Sequence, residues 1–167
     1  MTIEADMPGP GDFRRAGALI THRASATGTD LYDGIVAILE EAISRRRMTA
    51  LLRAVDSSYR IWIDQLRDER SRQMIRELID DLAVTSDDPY VRHATAAIIA
   101  MRDQDRIRFT EILHEVNADM RPGGGRLIGA LADIYASVLP ELATPTGGRE
   151  TLRAWTIEAA KYDNGEA

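Results

Sequence analysis

The chain of 167 residues contains no cysteine. That removes disulfides and thiolate metal ligands, and it gives an oxidising compartment no support. Lysine is almost missing as well: Lys161 is the single lysine among 21 basic residues, the others being arginine. We read this as the codon bias of a GC-rich genome, bacterial or phage, and not as a phosphate-binding device. Aromatic residues make up only 5%, so a core must be assembled chiefly from aliphatic side chains. The longest largely apolar run is the eight residues 94–101, apolar but for Thr95, well short of the ~20 needed to cross a bilayer as a helix. Residues 1–11 are acidic and rich in Pro and Gly, without the basic and apolar regions of a secretory signal. No stretch alternates apolar and polar residues with β-branched enrichment, so no strand is expected. These absences together lead us to expect a cytoplasmic protein with no membrane partner.

Apolar residues reach 44% and charged residues 29%. Those are globular values and exclude wholesale disorder. The length suits one domain with a sizeable core. The formal net charge is −6, which argues against a surface generally coated by nucleic acid, though a local patch remains compatible with it.

Two stretches organise the chain. In the later one, Asp88-Pro89 is a helix start, Asp as cap and Pro at the first helical position. An apolar run to Met101 follows, then Arg102-Asp103-Gln104-Asp105, then Phe109, Ile112, Leu113 and Val116 at helical spacing. Extending the first stripe by helical steps lands on Asp105 and Arg108, so a turn at 103–106 is expected in place of one long helix. A slide of 61 residues lays 35–56 on 96–117 with six identities, among them Arg45 on Arg106, Thr49 on Thr110 and Val55 on Val116. This predicts two related helical hairpins with corners at 44–47 and 103–106. Any two amphipathic helices share part of such a pattern, but the Arg and Thr matches lie outside the apolar stripe.

The fold expected is all-α, a single-domain bundle of six to eight helices built on the two hairpins. Its extent is 30–162, after a flexible arm over 1–29 with a short helix capped by Asp12, and before a frayed end at 163–167. Asp30 opens the first hairpin. Asp56, Ser57 or Ser58 caps the next helix, with Tyr59, Trp62, Ile63 and Leu66 on its face, and 57–84 is one helix or two broken near Ser71. Pro122 and Gly123–Gly125 make a loop. Pro140 ends or bends the following helix, and a last helix over 149–162 carries Leu152, Trp155, Ala159 and Tyr162.

No motif fixes a reaction. Glu111 and His114 have the Glu-x-x-His spacing of carboxylate-bridged metal bundles, but the matching positions in the first copy are Ala50 and Arg53, and a solvated face explains the pair as well. His22, His93 and His114 have no catalytic company. Gly123–Gly125 lacks the Lys-Ser/Thr and the preceding strand of a phosphate loop. Arg45, Arg46 and Arg47 form the best basic cluster, a candidate patch for an anion or an acidic partner, with Glu40 and Glu41 near enough to neutralise it. The helix after the second corner mixes Arg106 and Arg108 with Glu111 and Glu115, a poor fit to a major groove. Around Tyr59 the chain is apolar on more than one side: Tyr59, Ile61, Trp62 and Ile63 suit either the centre of a bundle or a homodimer interface. The expectation is a non-catalytic protein–protein interaction or assembly protein, self-associating, without cofactor or metal. The alternatives are a DNA-binding regulator and a metal- or ligand-binding bundle.

Overall fold

The computed structural model describes residues 7–25, 28–119 and 123–140. Among them are seven helices and no strand: α1 (Pro10–Ser25), α2 (Gly28–Ser44), α3 (Met48–Leu66), α4 (Glu69–Thr85), α5 (Pro89–Arg102), α6 (Arg106–Asp119) and α7 (Gly123–Val138). No helix is long and apolar enough to cross a membrane. The expected helix at 149–162 and the frayed end at 163–167 lie outside the described residues. The chain divides into two compact units, Met1–Ser58 with Leu139–Ala167, and Tyr59–Val138. The boundary falls inside α3, so one helix contributes to both.

In the first unit α1 packs on α2. Asp12 does not cap α1. Gly9 does, because its carbonyl accepts from Phe13 N–H at 3.1 Å, and Pro10 takes the first helical position, where its missing N–H costs nothing. Asp12 sits three residues in and accepts from Gly9 N–H at 2.9 Å, one half of a capping box. Its carboxylate is 2% exposed and receives Arg15 at 2.8 Å and Arg47 at 2.5 Å. Burial pushes this carboxyl up, but the hydrogen bonds from Arg47, Gly9 and Arg15 outweigh it and hold the group below its ordinary value. Ala16, Leu19 and Ile20 on α1, and Leu51, Leu52 and Val55 on α3, are buried. Where α1 meets α2, the His22 ring lies against the backbone of Gly34, in space that any Cβ would fill. The stretch α2 begins at Gly28, two residues before the expected Asp30.

In the second unit α5 is the central helix, packed on α4, α6 and α7, with α6 also on α7. Its inward face is made of small residues, Ala94, Thr95, Ala97 and Ala100, with Ile98 and Met101, so neighbours approach its backbone closely. Asp88 caps it through Tyr90 N–H at 2.9 Å, with Pro89 next. Phe109, Ile112 and Val116 of α6 are buried. Tyr59 and Tyr135 stack with ring centres 4.9 Å apart, and Arg67 donates to Val138 C=O at 3.0 Å, tying the end of α3 to that of α7. At the other end of α7, Arg126 donates to the Tyr90 hydroxyl and lies over its ring.

Both expected corners exist, and they repeat bond for bond. At the first, Arg46 N–H reaches Ile43 C=O and Arg47 N–H reaches Ala42 C=O. At the second, Gln104 N–H reaches Met101 C=O and Asp105 N–H reaches Ala100 C=O. Each is a Schellman end with a left-handed residue, Arg46 at φ 57° and Gln104 at φ 56°. The next residue opens the following helix, its C=O accepting from Leu51 or Phe109. The repeat is therefore 58 residues and not 61. A three-residue slip along a helix returns a side chain to nearly the same face, so the apolar stripes match almost equally well at both offsets.

Two helix ends differ from expectation. Helix α3 runs unbroken through Asp56-Ser57-Ser58, because Ser58 Oγ bonds back to Ala54 C=O at 2.7 Å and so competes with no backbone bond. The break comes at Arg67-Asp68, where Asp68 accepts from Ser71 N–H at 2.8 Å. The three glycines 123–125 open α7 and do not precede it; in a first turn the N–H groups lack intrahelical partners in any case.

Candidate functional site

The sequence-derived candidates are not brought together. Arg45 is exposed and pairs with Glu41 at 3.2 Å. Arg46 is exposed and takes the corner's left-handed backbone position, and Arg47 turns inward to Asp12. The triplet is thus a helix joint with one inward and one neutralised guanidinium, which weakens it as an anion patch. Tyr59, Trp62 and Ile63 are 2%, 5% and 8% exposed, and Ile61 is half-buried. The interface expected at this turn needs uncovered apolar groups, and three of the four side chains are already covered within the chain. That favours the bundle-centre alternative for this turn of α3, with Ile61 the least covered of the four.

On α6, Glu111 and His114 are both exposed, and Glu111 is engaged by Arg108 at 3.4 Å. Arg108 also reaches Glu115 at 3.1 Å, and His93 Nε2 lies 3.5 Å from the same carboxylate. The bond to Glu115, ahead of that to Glu111, raises the Arg108 pKa. Among the described residues no three His, Asp or Glu side chains are placed to hold a metal ion.

The arrangement with the clearest chemistry was not singled out from sequence. A cleft of about 270 Å³ opens in the second unit between α3, α4, α5 and α7. Its floor is apolar, formed by Ile63, Ile75, Ile79, Ile98 and Tyr135. Its rim carries four arginines, Arg60, Arg72, Arg76 and Arg102, against one acid, Asp64. The local balance is therefore opposite in sign to that of the whole chain.

Local sequence explains each rim position. Arg72 and Arg76 are four apart and flank Ile75 and Ile79, also four apart, so both pairs lie on one side of α4. Arg72 donates to the carbonyls of Asp64 at 3.3 Å and Arg67 at 3.1 Å, locking the α3–α4 joint. Arg102 is held by Asp103 at 3.0 Å and Asp80 at 3.1 Å. The Asp103 bond first, then Asp80, raise its pKa, so it is charged at any working pH. Arg76 is exposed and has no side-chain partner among the described residues.

The i,i+4 pairs on α4 were readable in the sequence. What could not be read was that α3, α5 and α7 supply the other walls. At this size the cleft is below the usual range for a drug-sized ligand, ~300–1,000 Å³, and suits one or two inserted side chains with an anionic neighbour. Neither family models, curated proteins nor solved structures yield a match to this chain, so the site is read from its own geometry.

Proposed function

We propose that this is a non-catalytic interaction protein that takes an acidic, amphipathic segment of another protein into the α3–α4–α5–α7 cleft. The observation that carries the reading is the pairing of an apolar floor with a rim of four arginines and one aspartate. Apolar side chains of the segment settle on Ile75, the half-buried member of the apolar lining. Its carboxylates pair with Arg76, whose guanidinium has no side-chain partner among the described residues, while the other rim arginines supply positive potential. Affinity comes mainly from the buried anchors, whereas the rim sets sign preference and association rate.

The test uses a fluorescent amphipathic peptide with Leu on one face and Glu on the other, and a control with Lys in place of Glu. Anisotropy titration of the full chain should show saturable binding of the Glu peptide alone. Arg76→Glu should weaken that binding roughly tenfold or more, with the helical circular dichroism unchanged. Equal binding of both peptides, or indifference to Arg76→Glu, overturns the reading.

A further inference from the structure

We propose that the opposite flank of α4 is a homotypic contact, on which two copies of the chain pair antiparallel. This stands independently of the cleft. Helix α4 packs on α5, and Ile79 is its buried residue. Away from the arginine rim, on the far side of the Ile75–Ile79 stripe, Met74 and Leu78 are 61% and 42% exposed. They are four residues apart and form one apolar patch, and this patch is bracketed along the same flank by Arg70 on one side and Asp81 on the other.

Both bracketing charges are exposed, and neither has a side-chain partner among the described residues. At 1.5 Å per residue they stand about 16 Å apart along the helix, too far to neutralise each other within one chain. Reversing a second α4 against the first brings them together. With a two-fold axis crossing this flank midway between Met74 and Leu78, Met74 meets Leu78 of the second copy, and Leu78 meets Met74. Arg70 meets Asp81 at one end, and the symmetry repeats the pair at the other.

The order basic–apolar–apolar–acidic is therefore self-complementary under two-fold rotation, the condition for an isologous interface. A parallel pairing would set Arg70 on Arg70 and Asp81 on Asp81. The remaining charge near the axis is Glu77, and it accepts a bond from Gln73 at 3.1 Å, on the side of the helix away from Met74 and Leu78. One helix pair is a small interface, and a dimer that exchanges with monomer is expected of it.

Sedimentation equilibrium of the full chain over a micromolar to millimolar range tests this. The wild type should show a reversible monomer–dimer equilibrium. Arg70→Asp and Asp81→Arg should each weaken it roughly tenfold, since each reversal places like charges together at both ends of the seam. The double variant R70D/D81R restores opposite charges and should recover the wild-type constant. Both sites are exposed, so circular dichroism should report folded protein in every case. A monomer at all concentrations overturns the proposal, as does a dimer insensitive to both single reversals, or a double variant no stronger than either single one.

Discussion

Asp12 shows how one side chain is fixed by partners far away in sequence. It is buried, yet Arg47 and Arg15 keep it ionised. Its folded pKa lies below its ordinary value, so the stabilisation it gives is present above the unfolded pKa and disappears as pH falls through the folded one. Asp12→Asn should therefore cost about 2–3 kcal/mol at neutral pH, the range of hydrogen bonds to charged groups. The difference from wild type should shrink below about pH 4. Urea unfolding of both proteins at neutral and acidic pH checks the size and the sign. The sequence suggested a cap at Asp12 but could not reveal the arginine 35 residues away, since nothing in local pattern links an acid in one helix to the joint between two others. Residues whose role is set by periodicity were readable: Phe109, Ile112 and Val116 are buried as their spacing required.

The elements of this chain are joined by two corners of the same construction, each with a non-glycine residue in the left-handed region. An L-residue there costs roughly 1–2 kcal/mol, and glycine escapes most of that while adding freedom to the unfolded chain. Gln104→Gly and Arg46→Gly should each raise stability, by about 0.5–1 kcal/mol net of these two effects. Thermal melts of the single variants and the double are the measurement, and additive gains are expected because the sites are distant. The second corner was legible because the apolar stripe jumps across charged residues there. The continuity of α3 was not, because Asp-Ser-Ser is a cap in most settings and only a bond from Ser58 back to Ala54 makes it an interior turn. The glycines of α7 misled for the opposite reason, as they signal loops locally yet suit a helix's first turn.

At the scale of the whole molecule, the all-helical class followed from composition and period, whereas the cleft depends on which four helices face one another, and single-sequence pattern carries no such information. The net charge of −6 bears on nucleic acid. Most specific affinity for duplexes rests on neutralised phosphates, and Arg102 and Arg108 are already occupied by carboxylates. Mobility shift near physiological salt, with competitor DNA, should show no tight sequence-specific complex; a nanomolar complex with one defined duplex would displace the acidic-segment reading. The packing of α5 on α4 and α6, its immediate chain neighbours, and on α7 just beyond has a kinetic side. Helices that pack on their sequence neighbours close only short loops, and the entropy lost before contacts form is small. The contacts within Tyr59–Val138 are accordingly of the local kind that forms quickly in helical proteins, before apolar faces stay open long enough to aggregate.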